Sequence, residues 1–292
     1  MGDPLWGGTL WGMARSPVGP RRRLARALQR LRTEAGQTID DVARNTEISK
    51  SSLSRIENAQ ISPKVSDVKV LLRYFDVPAD DTEKFLEEAR AARQRGWWIT
   101  YTDAVPDWFS MYLGFETEAS GIRTVDCQLV PGLLQTAGYA KAIIECESNH
   151  PRDPDLIDRR VQLRMERQTI LYGTDPMSLH VIIDESVIRR QVGGREVMRE
   201  QIARLIEAAH LPNVKLQVIP FSAGEYPASG TAFSIVSFPD DEPDVVYVEN
   251  FGNGSYVEQP PQVARFTMVF EQLTELALDS GQTISLLVDA TS

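Results

Sequence analysis

Long apolar runs are missing from this sequence. No stretch approaches the roughly 18 consecutive apolar residues of a membrane-spanning helix, so no membrane partner is expected. The opening MGDPLWGGTLWGMARSPVG has neither the basic start nor the continuous apolar core of a secretory signal. Residues 1–19 therefore read as a disordered leader on a cytoplasmic protein. Cysteine is scarce: Cys127 and Cys146 are too few and too far apart for a disulfide framework or a zinc ribbon. Both sit in apolar surroundings and are expected to be buried as small apolar side chains. His150, His180 and His210 fall in unrelated segments with no H-x-x-x-H pair, so no metal is implied. The chain also lacks G-x-S-x-G, H-E-x-x-H, a Walker loop and a dinucleotide fingerprint. Asp184, Glu185, Glu225 and Glu249 are available carboxylates without such a frame, and Gly193-Gly194 reads as plain punctuation before a helix. No enzyme, no catalytic residue and no cofactor is expected.

What is present is an uneven distribution of charge. The chain of 292 residues carries a net charge of −10. Residues 15–73 nevertheless hold 13 of its 31 Lys and Arg but only 6 of its 41 Asp and Glu. A basic head on an acidic body fits a nucleic-acid reader attached to a different module, and the length suits two domains.

The head is organised around Thr38 to Asn58, TIDDVARNTEISKSSLSRIEN. Thr38 with Asp41 three residues on forms a T-x-x-D capping box. Val42 and Ala43 give the first helix an inward face, Asn45-Thr46-Glu47 interrupts the periodicity, and Ile48 returns to the core. Ser49 is an N-cap for a second helix with Leu53 and Ile56 on one buried side. Lys50, Ser51, Ser54, Arg55 and Asn58 then point outward, and side chains of these types suit base edges and phosphates. Leu24, Leu28 and Leu31 before the stretch, and Val65, Val68, Leu71, Leu72 and Phe75 after it, supply flanking helices. Helix 1 is expected from about Arg21 to a glycine stop at Gly36, with Arg21, Arg22, Arg23 and Arg26 as phosphate contacts at its start. Ser62-Pro63 is expected to open helix 4, whose N–H groups and Lys64 could hold a phosphate.

This stretch resembles the helix-turn-helix of the XRE family, the Cro and phage-repressor type, over about residues 21–77, most specifically in S-x-L-S-R-I-E-N at 51–58. The resemblance implies a five-helix, all-α, repressor-like DNA-binding domain at 20–78. It places Lys50, Ser51 and Arg55 at base edges in the major groove. Thr38, Ser49, Ser54, Asn58, Lys64 and the Arg21–Arg26 cluster fall on the DNA backbone. Arg32 and Glu57 take the positions of a structural ion pair between helix 1 and the recognition helix. One departure is Ile39, where the family usually has a phosphate-binding Gln.

Residues 79–96 read as a connector helix, and 97–292 as a larger α+β domain. Helices are expected at 106–117, 133–144, 154–171, 196–209 and 261–278, and strands at 122–129, 179–183, 214–219, 231–238 and 244–249. The arginines of the 154–171 helix are expected to face water, and ISLLVDATS at 284–292 to add a strand or fray. Trp97, Trp98, Tyr101, Trp108, Phe109 and Tyr112 form an aromatic concentration, either a ligand pocket or the packing of the interdomain joint.

GWWITYTDAVPDWFSMYLGFETEAS, LVPGLLQTAGYAKAII, VGGREVM, LQVIPF and DVVYVENF, in that order, resemble the long C-terminal domain of unknown function of actinomycete-type regulators. WhiJ-like developmental regulators and antitoxin-like proteins carry this domain. The two resemblances together imply a transcriptional regulator that reads double-stranded DNA as a homodimer. They leave open an antitoxin-like protein that binds a small neighbour-encoded partner, for which the loop 221–230 is a compatible surface. A small-molecule-sensing repressor with an effector bound in the body is also left open.

Overall fold

The computed structural model describes residues 16–147, 153–239, 242–250 and 252–291. The chain divides into two compact units, with the boundary between Thr100 and Tyr101. No helix among the described residues is long and apolar enough to cross a membrane.

The first unit is all-α: α1 (Val18–Glu34), α2 (Ile39–Thr46), α3 (Lys50–Glu57), α4 (Val65–Tyr74) and α5 (Ala79–Ala91). Residues spaced three or four apart turn one stripe of each helix inward. Leu24 and Leu28 meet Val42, Leu53, Ile56, Val68, Leu71, Leu72, Leu86 and Ala89 in one core. Leu86 and Ala89 are thus part of the head's interior, so the helix expected as a connector at 79–96 is instead a fifth wall of this unit. Helix α1 begins at Val18, ahead of the expected Arg21, because Pro20 is tolerated in a first turn that needs no N–H. Buried Ser16 accepts a hydrogen bond from Val18 N at 3.1 Å. The last residues assigned to a leader therefore belong to the fold, and the rest of that segment, to residue 15, lies outside the described residues.

Helix α1 ends on Gly36 at φ +64°, with Gln37 N bonded to Arg32 O at 3.0 Å. Helices α3 and α4 close in the same way without glycine: Ala59 and Asp76 take φ of 52° and 51°. Gln60 N then reaches Arg55 O at 2.8 Å, and Val77 N reaches Leu72 O at 3.0 Å. The six-to-one bond caps the carbonyl ends in each case.

The second unit is α+β. Its elements are α6 (Asp107–Glu118), β1 (Gly121–Asp126), α7 (Ala137–Glu147), α8 (Pro154–Arg167), β2 (Ser178–Asp184), α9 (Glu185–Arg189) and α10 (Arg195–Ala209). They are followed by β3 (Val214–Ile219), β4 (Phe233–Ser237), β5 (Val245–Asn250), β6 (Asn253–Val257), α11 (Pro260–Leu276) and α12 (Ser280–Asp289). The strands form one sheet in the order β3-β2-β1-β4-β5-β6. β1, β2 and β3 are parallel, and β4, β5 and β6 continue as an antiparallel meander. Alternation sends Val125, Ile182, Ile219, Phe233, Ile235 and Val246 to one face, where they pack on Phe270 and Leu273 of α11.

Several expectations are corrected here. Residues 280–289 form a helix, because Asp279 and Gln282 make a full capping box. Short elements α9 and β6 were not expected, nor the 3-10 turns at Gly132–Leu134 and Gln168–Leu171 that shorten two expected helices. Cys127 is only half-buried, and Cys146 is exposed, because Tyr139, Ala140 and Ile144 form the inward side of its helix, α7.

The arginines of α8 do not all face water. Arg167 donates from Nε and Nη2 to Glu116 of α6 at 2.8 and 2.7 Å, with side chains only 7% and 3% exposed. Burial opposes the Arg167 charge, but Glu116 outweighs it and holds the guanidinium above its ordinary pKa. The same guanidinium lies against Gly132, where a Cβ would come within 3.3 Å of Nη1.

The segment 129–136 around that glycine is buried irregular backbone, and side chains answer its polar groups. Gln135 Nε2 donates to Val130 O, and Gln168 Nε2 to Gly132 O and Gln135 O. Gln201 both donates to Leu134 O and accepts from Thr136 N, each at 2.7 Å. Tyr139 Oη accepts from Val130 N at 3.1 Å.

Breaking the buried pair is therefore expected to be expensive. Glu116→Gln should cost about 3–5 kcal/mol in urea unfolding, because it leaves Arg167 charged and unmatched. Asp81→Asn, which removes an exposed partner of Lys84 (77% and 52% exposed), should cost about 0.5 kcal/mol or less. Equal effects would show that the Arg167–Glu116 pair is open to water.

Candidate nucleic-acid interface

Thr38 caps α2 in a reciprocal box: Asp41 N donates to Thr38 Oγ1 at 3.1 Å and Thr38 N to Asp41 Oδ2 at 3.0 Å. The hydrogen bonds from Thr38, then the charge of Arg44, hold the Asp41 carboxyl below its ordinary pKa. Their stabilisation is present above the ordinary aspartate range and is lost as pH falls through the depressed value. Helix α2 ends on Glu47 in the left-handed region, φ 59°. Ile48 then enters the core, and Ser49 caps α3 by accepting from Ser52 N at 3.1 Å.

Leu53 and Ile56 turn inward at 2% exposure each, and Lys50, Ser51, Arg55 and Asn58 are left exposed, with Ser54 half-buried beside them. Ser51 and Arg55 are one helical turn apart, as are Lys50 and Ser54, and Ser54 and Asn58. At about 1.5 Å per residue, this eight-residue helix is about as long as the major groove is wide. Asn58 Nδ2 donates back to Ser54 O at 2.8 Å, which fixes the end of that face.

Helix α3 is anchored from behind. Arg32 grips Glu57 with two bonds of 2.7 and 2.8 Å and donates from Nη1 to Gln37 O at 2.9 Å. The side chains are 14% and 7% exposed, and the hydrogen bond to Glu57 leads the causes that raise the Arg32 pKa. Tyr74 Oη donates to Gln37 Oε1 at 2.9 Å, which ties the α1–α2 turn to α4.

Two acidic neighbours were missed in the sequence. Lys50 Nζ lies 2.9 Å from Asp40 Oδ2 of α2, and Arg44 pairs with Asp41. Only the folded turn brings Asp40 across ten residues to Lys50, so no local spacing signals it.

The basic cluster at the start of α1 is corrected. Arg22 is 3% exposed, and Arg23 is bound to Glu88 of α5 through two bonds of 3.1 Å. Arg21 and Arg26 are half-buried, and burial lowers the Arg21 pKa. Because α1 starts at Val18, Arg21 closes its first turn and Arg22, Arg23 and Arg26 lie in its second and third. Arg21 is eleven residues, about 16 Å along the helix, from the Arg32 anchor. Lys64 is exposed, but at the N-cap of α4, with Pro63 before the helix and not inside it.

The expected aromatic cluster is divided between the units. Trp97 and Trp98 meet edge to face at 6.1 Å in the first. Within the second, Trp108 meets Phe109 at 5.6 Å, Phe109 stacks on Tyr112 at 5.4 Å, and Tyr101 Oη donates to Glu166 at 2.6 Å. Among the carboxylates considered for catalysis, Asp184 accepts from Ser186 N and Tyr226 Oη, and Glu185 from Phe221 N and Arg189.

Two short helices, a left-handed turn between them and an outward face of Lys, Ser, Arg and Asn define a helix-turn-helix domain. A family model described as a helix-turn-helix domain matches residues 23–85. A second, described as a domain of unknown function (DUF5753), matches residues 109–289. That match takes in more than half of the chain, and the chain belongs to this family. No curated protein and no solved structure matches it.

Glu57→Ala should lower the stability of the head by about 2 kcal/mol, through loss of hydrogen bonds to a charged, largely covered guanidinium. Thermal unfolding followed by far-UV circular dichroism checks this. An unchanged melting temperature would mean that water serves Arg32 equally well.

Proposed function

We propose that the chain is a sequence-specific transcriptional regulator that reads double-stranded DNA as a homodimer, with the second unit as its regulatory module. The observation that carries the reading is the outer face of α3. Lys50, Ser51 and Arg55 are exposed together there, while Arg32 and Glu57 hold the helix from the inner side. Arg55 supplies the bidentate donor that pairs with guanine O6 and N7. Ser49, Ser54, Asn58, Lys64 and Thr38 border it as backbone contacts. Resemblance to the Cro and repressor type supports the same assignment. A helix this short covers only a few base pairs, and two copies on half-sites about one turn apart would supply the missing specificity. The commitment of Asp184 and Glu185 to backbone and side-chain partners favours a non-catalytic second unit. A second reading, antitoxin-like binding of a small neighbour-encoded protein, is favoured by Phe221, which is 60% exposed at the start of the loop 221–230.

Selection of sites from random duplex DNA tests the first reading. Full-length protein should recover a palindromic motif, and Lys50→Ala/Arg55→Ala should lose it. Arg55→Ala alone should cost about 1–3 kcal/mol and relax preference at one base position. Equal weakening on every sequence would make Arg55 a phosphate contact, and recovery of no motif would overturn specific reading by the unassisted chain.

A further inference from the structure

Helix α3 opens on an unfavourable charge. Lys50 is its first residue, where the helix dipole opposes a cation. The folded turn answers with Asp40 of α2, whose Oδ2 lies 2.9 Å from Lys50 Nζ. Asp41, beside it in the same first turn, is committed elsewhere: it completes the cap with Thr38 and pairs with Arg44. Asp40 takes no part in that cap, so its carboxylate is left to Lys50 alone among the described residues.

Folding stability does not account for the pair. The Lys50 and Asp40 side chains are 66% and 58% exposed, and ion pairs this open contribute little. What the pair changes is the charge of the outer surface at the start of α3. A carboxylate on a surface that meets DNA is repelled by every phosphate and weakens contact with all sequences alike. An unrestrained lysine has the opposite effect. Its ammonium is a compact charge on a flexible stem, and it pairs with phosphates whatever the sequence.

Together the two groups behave differently from either one. Asp40 offsets the Lys50 charge, fixes the position of Nζ and takes one of its three N–H donors. The two donors that remain match the adjacent O6 and N7 acceptors of guanine. A phosphate, which gains from lysine through net charge, meets a pair that has none.

We infer that Asp40 is a specificity-determining residue, which holds the Lys50 ammonium for a guanine edge and withholds it from phosphates. The inference rests on the DNA reading proposed above and adds to it a residue from outside α3.

Site selection and salt-dependent titration of full-length protein test it, with Asp40→Asn as the variant that removes the charge and keeps the size. On random duplex DNA, Asp40→Asn should bind several-fold more tightly than the wild-type chain. The slope of log K against log salt concentration should steepen by about one, as Lys50 moves to a phosphate. Preference should fall roughly tenfold at one base position, the one that Lys50→Ala loses. In a Lys50→Ala background, Asp40→Asn should change no base preference. Glu47→Gln removes a charge from the same hollow between α2 and α3, which Asp40 and Glu47 both line, and should leave base preference unchanged.

A wild-type motif that Asp40→Asn leaves intact would overturn the inference alone, as would weaker binding of that variant to random duplex. Equal relaxation by Glu47→Gln would make Asp40 one of several charges in a general field and would overturn it too. So would a Lys50→Ala variant that loses no base position. Recovery of no motif by the wild-type chain would overturn the DNA reading itself, and the inference with it.

Discussion

Irregular backbone can be buried only if its N–H and C=O groups find partners, and the second unit depends on how that requirement is met at 129–136. Three glutamines and one tyrosine, from the segment itself, from α7 and α10 and from the 3-10 turn that follows α8, take the place of ladder bonds. Because these side chains come from separate elements, the loop ties those elements together. Gly132 leaves the space into which the Arg167 guanidinium fits, and that guanidinium ties α8 to α6 through Glu116. The polar residues of this region are the joints of the layer above the sheet.

The head solves a related problem with local means. Short helices expose many unpaired backbone groups at their ends. Thr38 and Ser49 answer the N-termini, and left-handed residues answer the C-termini, most of them without glycine. Helices of eight residues are marginal in isolation, so the caps and the Arg32–Glu57 anchor hold α3 as a rigid outer face.

The head was largely legible from residues. Capping, inward spacing and the Arg32–Glu57 positions are separations within one motif, and they survive folding because each depends on nearest turns. The Arg21–Arg26 cluster was misjudged for the opposite reason. Charge counts show that arginines are present but not which turn of α1 they occupy, and a helix start three residues earlier placed Arg22 inside and Arg23 against Glu88. The pairing of Asp40 with Lys50 was invisible because it crosses the turn.

In the body, the sequence by itself determined the elements with strong periodicity: the three parallel strands, α10 and α11, and the class α+β. It also set the chemical types available at 129–136, but not their purpose. Only the tertiary structure decided the strand order, the burial of Arg167 and the exposure of Cys146. The physical reason is that periodicity reports which side of an element is apolar. The partner of a buried charge is set by which elements the sheet brings together.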